Sequence, residues 1–246
     1  MKKSLTLLTI IVLALAPSVM TAEEINFKIS VRSGIIGMSA GIGKFIQQST
    51  IEDGNPAVMM QMTMGTTGAA HLFYQLNDTM TSIQTTSGKT IRYQKIAHEG
   101  KSHSKESAFF TYKGDKCHIQ YRIESGDKSY KHEEEWDETV YDMLSLLGFT
   151  RSFNNVNEGE VINFPMVNGD RAFMQHIVCE GKVKVKDSRR KSYDCLQFSV
   201  RDYKGGTERE TMKVFVTDDQ KHLPIRLEIM LGKSTTAIVV LDKIKE

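Results

Sequence analysis

The chain has 246 residues, 40% of them hydrophobic and 25% charged, with 32 Lys and Arg against 30 Asp and Glu. Residues 1–22 hold Lys2 and Lys3 and no acid, so the remainder balances at 30 bases and 30 acids. A neutral chain whose charges alternate with apolar residues lacks the positive field that holds nucleic acid or an anionic membrane surface, which excludes partners captured through net charge.

At the N-terminus, Lys2 and Lys3 precede an apolar stretch from Leu5 to Ala16, and Ala22 stands before Glu23 and Glu24. This order is the pattern of a secretory signal peptide, with cleavage expected near Ala22. The stretch is about a dozen residues, where a membrane-spanning helix needs roughly 20, and no later run approaches that length. No Cys follows the leader to take a lipid anchor. The expected product is a soluble, unlipidated domain over residues 23–246, periplasmic or secreted, of a length that one all-β domain can occupy.

Beyond the leader the dominant period is two. Ile25, Phe27, Ile29 and Val31 alternate with Asn26, Lys28, Ser30 and Arg32, which is the pattern of a half-buried antiparallel strand. Gly34, Gly37, Gly41 and Gly43 follow, with no helix after them to hold a phosphate, and are expected at turns and bulges that let the sheet curl. In the segment Val58-Met59-Met60-Gln61-Met62-Thr63-Met64, strand spacing puts Met60, Met62 and Met64 on one face as a flexible apolar stripe. That stripe reads as core filler, as the lining of an apolar cavity, or, least of all, as a thioether copper(I) site. A weak helical pattern from 68 to 76 carries Ala69, Leu72 and Phe73, and Phe73 joins the cavity-lining set.

The polar residues of the middle region form no chemical motif. His98 and His103 do not match a zinc spacing, and Cys117 and His118 are neighbours that a strand points to opposite faces. His132-Glu133-Glu134-Glu135 reads as a solvated strand face before Trp136. Over 139–151 the period becomes helical. Val140, Met143, Leu144 and Leu147 fall on one stripe, Thr139 and Asp142 have capping-box spacing, and Gly148 is placed to end the helix.

Further on, Cys179 and Cys195 flank a hairpin turn near residues 187–190. Counting by twos sets Cys179 with Val183 and Val185 and sets Cys195 opposite Leu196, Phe198 and Val200, so free thiols are expected unless a bulge intervenes. Ile225, Leu227, Ile229 and Leu231 form another alternating strand, entered through Pro224. Turn signals at Ser33-Gly34, Gly114-Asp115, Asn168-Gly169, Gly205-Gly206 and 218–224 divide the chain into roughly a dozen strands. The fold class is mainly β: an antiparallel sheet curled into an incomplete barrel or a sandwich, with one or two short covering helices.

Asp142, Leu144, Ser145, Leu147 and Arg151 together resemble a helix motif of bacterial exported proteins in the family called domain of unknown function thirty-one-oh-eight. The run Val214-Phe215-Val216-Thr217-Asp218-Asp219 and the later Leu223-Pro224-Ile225-Arg226-Leu227-Glu228 look like that family's terminal hairpin. Gly34 and Gly37 fit its start. The resemblance implies a sheet curled into a half-barrel around a helix, similar in outline to the periplasmic carriers of lipoproteins, and implies no chemistry.

With no catalytic, metal or cofactor motif, the functional expectation is a non-enzymatic cell-envelope protein. One form is a carrier of a lipid-like apolar molecule, lined by Met60, Met62, Met64, Phe73, Leu144 and Leu147. The alternative is a structural or interaction protein whose barrel is filled by its own side chains.

Overall fold

The computed structural model describes residues 22–150, 156–204 and 207–245. Residues 1–21 of the expected leader, Arg151 and the Gly205-Gly206 turn lie outside these.

Fourteen strands and two short helices make up the described residues. The N-terminal run is β1 (Glu23–Ser33), β2 (Ile36–Glu52), β3 (Asn55–Thr66), α1 (Gly68–Phe73), β4 (Asn77–Thr85), β5 (Thr90–Glu99), β6 (Ser102–Lys113), β7 (Lys116–Ser125) and β8 (Lys128–Trp136). After α2 (Met143–Thr150) come β9 (Val161–Asn168), β10 (Arg171–Lys186), β11 (Ser192–Lys204), β12 (Thr207–Thr217), β13 (Pro224–Met230) and β14 (Thr235–Lys245). All fourteen lie in one sheet, in the order β8-β7-β6-β5-β4-β3-β2-β1-β14-β13-β12-β11-β10-β9. Almost every step is a hairpin between neighbours in sequence. The exception is β1 with β14, where Phe27 lies opposite Leu241 and the two half-meanders become one sheet. The expected antiparallel, curled sheet is therefore what forms, continuous and open.

Turn chemistry follows the sequence. Gly34, Gly114 and Gly169 take φ of +59°, +65° and +72°, the left-handed region that tight hairpins require. Gly41 has a different reason. A Cβ there would lie 2.1 Å from the carbonyl oxygen of Gly65 on β3, beside a bulge that shifts the β1–β2 register between Ile29 and Ser30. The close approach of β2 to β3 needs a residue without a side chain.

The free edges of the sheet are β8 and β9. They are joined by the chain between β8 and α2, where Tyr141 forms an isolated parallel bridge with Met166. Tyr141 donates its N–H to the Pro165 carbonyl at 2.9 Å and accepts the Val167 N–H at 2.8 Å. Pro165 is tolerated because β9 is an edge strand. One residue thus supplies the β-type backbone link between the two ends, and the barrel stays incomplete.

The sequence misplaces the helix start. Val140 is buried but precedes α2, whose first residue is Met143, and α2 runs through Gly148 to Thr150. The cap is Asp142 with Ser145, not Thr139 with Asp142. Asp142 Oδ1 accepts the N–H groups of Leu144 at 2.8 Å and Ser145 at 3.0 Å, and Ser145 Oγ accepts the Asp142 N–H at 2.7 Å. Leu144 and Leu146 are buried while Met143 is 37% exposed, so the buried stripe is not the expected one. The helix packs on β3, β4 and β9. Near residue 68, α1 is only six residues long and ends at Phe73. Among the described residues, no helix is long and apolar enough to cross a membrane.

The cysteines are buried and free, for a reason the two-residue count misses. A bulge between Cys179 and Gly181 moves Cys179 to the face of Phe198, its register partner, and leaves Val183 opposite Cys195. The bulge intervenes, and the two thiols still point to opposite faces.

Candidate functional site

Alternation along β3 sends Met60, Met62 and Met64 inward, and Met62 sits directly opposite Met80 of β4. From the other half-meander, Met212, Leu227, Ile229 and Val239 face them across the curl, while α2 inserts Met143, Leu144 and Leu146. Met62, Met64, Met80 and these seven line a partly open apolar cavity of about 60 Å³. Pockets for small molecules run from roughly 300 to 1,000 Å³, and one liquid water occupies about 30 Å³. The seam is therefore largely filled by its own side chains.

The predicted lining set divides on this geometry. Met62, Met64 and Leu144 converge on the seam. Met60 is buried next to it but borders a separate, mixed cleft of about 360 Å³ with Gln47, Gln84, Tyr141 and Ser145. Leu147 belongs to α2 by its backbone, and its side chain lies outside the described residues. Phe73 must be removed, since it is 84% exposed on α1 and reaches no interior surface. A six-residue helix on a rim has no second layer to bury against, which its sequence pattern could not reveal. Met80, Met143 and Met212 are further seam methionines; alternation along β4 and β12 was the signal for Met80 and Met212, but not for the pairing of the half-sheets.

The seam is organised by a buried polar hub. Asp142 is completely buried, and its Oδ2 accepts the hydroxyls of Ser82 on β4 at 2.7 Å and Thr90 at the start of β5 at 3.0 Å. With the two N–H groups on Oδ1, the carboxylate accepts four hydrogen bonds. Burial pushes its pKa above the ordinary carboxylate value, against the lowering effect of those hydrogen bonds. This arrangement holds α2 to β4 and β5. Its carboxylate oxygens are engaged by the fold, while Ser145 borders the cleft of about 360 Å³.

A second polar link overturns the reading of 132–135 as wholly solvated. Glu134 turns inward from β8, where it accepts the Tyr121 hydroxyl and, at 2.6 Å, the N–H of Ala172 on β10. Its neighbours do lie outside, with His118 within salt-bridge distance of Glu133 and Glu135. Cys117 and His118 are on opposite faces: Cys117 is buried and its thiol pKa raised by burial, whereas His118 is on the solvated side. His98 and His103 meet edge to face, 4.8 Å between ring centres. No group of three or more His, Cys, Asp or Glu positioned for a metal occurs among the described residues. Asp218 pairs with Lys182 of β10 at 2.6 Å and Asp219 caps its turn through the Lys221 N–H, so the first ties the β12–β13 turn to β10 and the second serves the hairpin.

An open antiparallel β-barrel with a helix inserted in its curl defines the structural class. The chain belongs to the family described as Protein of unknown function (DUF3108), whose family model matches residues 26–239. No curated protein matches it. Among solved structures, it resembles the Beta-barrel-like Protein of Domain of Unknown Function DUF1849 from Brucella abortus, with a TM-score of 0.54 and 10% identity over 91% of this chain and 97% of that one. A protein with YmcC-like fold from Bacteroides fragilis aligns at a TM-score of 0.36 and 10% identity, over 91% of this chain and 95% of that one.

Proposed function

We propose that this is a non-enzymatic cell-envelope protein, exported by its N-terminal leader, whose barrel is filled by its own helix and which works through its outer surface. The observation that carries the reading is the volume of the seam. At about 60 Å³ it holds no acyl chain, and the hub at Asp142 keeps α2 in place. The polar groups near it are spent on each other, which supports a role without catalysis.

One observation favours the carrier reading as a second. The cavity wall is apolar throughout, and Met62, Met64, Met80, Met143 and Met212 make half of it. Methionine repacks around irregular shapes more readily than branched side chains do, so a shift of α2 would open a compliant, lipid-compatible space. Titration with a fluorescent fatty acid, with native mass spectrometry of gently purified protein, separates the two. The filled barrel predicts no saturable one-to-one uptake, and such uptake would replace it with the carrier.

A further inference from the structure

Because neighbouring strands are antiparallel, their turns alternate between the two ends of the sheet. Ser33 at the finish of β1 lies opposite Thr235 at the start of β14, which brings the β1–β2 and β13–β14 turns to the same end. They touch, with the Gly34 N–H donating to the Ser234 carbonyl at 3.1 Å. The β3–β4 connection with α1 is at that end too, tied to β2 by the Thr67 N–H on the Ala40 carbonyl at 3.1 Å. Next along the rim, the Gly100 N–H of the β5–β6 turn donates to the Gln75 carbonyl at 2.7 Å.

These adjoining tips expose large apolar side chains. Ile35 is fully exposed at the point of its hairpin, with Ile36 and Met38 beside it, Leu72 and Phe73 on α1, and Leu231 on the β13–β14 turn. Segments 33–43, 65–76 and 230–238 contain no Asp or Glu; Lys233 lies within the last, Arg32 precedes the first, and Lys101 is on the adjoining β5–β6 turn. Glu99, at the end of β5, accepts the Tyr74 hydroxyl at 3.1 Å, and Asp78 follows at the start of β4, opposite Met64. Asp127 and Asp170 belong to turns of the same end beside the edge strands. Turns of the opposite end carry Asp53, Asp115, Asp187 and Asp218. The tips built from 33–43, 65–76 and 230–238 are thus apolar and free of acid, whereas Asp202 and Glu208 stand on the β11–β12 hairpin of the same end and the opposite end carries both signs, with Lys89, Arg189, Arg190, Lys191 and Lys221 beside its acids.

We propose that this rim docks on a lipid bilayer, the tips at Ile35, Ile36, Leu72, Phe73 and Leu231 entering the interface while the flanking cations meet the headgroups. Protruding tips suit insertion among lipids, where a peptide-binding site would be a groove. The absence of carboxylates matters because the headgroup region of an anionic bilayer repels them. The neutral chain gives no long-range attraction, so the contact is short-ranged and apolar in origin. The proposal rests on the reading that the protein works through its outer surface, but its test does not involve the seam.

Flotation of the full-length processed protein with vesicles of phosphatidylethanolamine and phosphatidylglycerol tests it. Wild-type protein should float with the vesicles, and should do so in high salt as well, since apolar insertion is not screened. The double variant Ile35→Asp, Ile36→Asp should lose about ten-fold or more in vesicle partitioning. Ile51→Asp, at a site of the opposite end as exposed as Ile36, should partition like wild type, and thermal melts of both variants confirm the fold. Wild-type protein left below the vesicles, or a double variant that floats like wild type, overturns the proposal. So does a concentration-dependent dimer in lipid-free buffer that the double variant abolishes, because the rim would then be covered by a second copy.

Discussion

The carboxylate of Asp142 accepts the hydroxyl of Ser82 at 2.7 Å, joining positions 60 residues apart in the interior. With Thr90 and the N–H groups of Leu144 and Ser145, Ser82 completes the shell of a fully buried acid. Replacing Asp142 by Ala strands two hydroxyls and two N–H groups, and should cost about 3 kcal/mol or more. Asn keeps an acceptor for the helix N–H groups and offers N–H donors to both hydroxyls, so Asp142→Asn should lose less than half as much. Urea unfolding of the two variants checks the order.

The same group has a pH signature. Burial raises the Asp142 pKa in the folded state, so the folded protein holds this proton more tightly than the unfolded chain. Its contribution is fully present below the unfolded value and is lost as pH rises through the folded one. Asp142→Asn does not titrate, and its stability deficit relative to wild type should shrink as pH rises above about 4. A deficit that grows with pH in paired urea melts would contradict the sign.

Glu134 should matter for closure of the curl, since it connects edge strand β8 to the Ala172 N–H on β10. Glu134→Ala should cost about 1 to 3 kcal/mol and speed hydrogen exchange at the Ala172 amide. Unchanged protection of that amide would show that the two ends are held by Tyr141 alone.

Met62 tests the filled seam. With about 60 Å³ available, Met62→Trp overpacks the interior and should cost roughly 1 to 3 kcal/mol in a thermal melt. Retained stability would mean that α2 yields to added volume, as the carrier reading requires.

Gly41→Ala should be destabilising by about 2 kcal/mol or more, because the new methyl meets backbone at 2.1 Å and β2 must part from β3. Gly37→Ala is the control. Nothing lies within 4 Å of a Cβ there, and the change should stay within about 1 kcal/mol of wild type.

All three thiols are buried, and Cys195 is pushed up to about 11 by burial. Native protein near pH 8 should therefore resist a thiol reagent, and denatured, unreduced protein should titrate three thiols.

Strand periodicity, turn residues and the inward methionine stripe were legible in the sequence because each is a local property, fixed by alternating side chains and by positive φ at Gly34, Gly114 and Gly169. The Asp142–Ser145 cap was present in the spacing but lost to Thr139, since two capping patterns overlap and only burial of Asp142 against Ser82 and Thr90 selects one. Whether Met62 faces a ligand or Met212 depended on how the half-sheets join through β1 and β14 and on where α2 inserts. Those are contacts between residues far apart in sequence, and no local pattern encodes them. Phe73 likewise reads as an apolar residue awaiting a core; its exposure on the rim is set by the length of α1 and its place at the end of the sheet, which only the assembled fold decides.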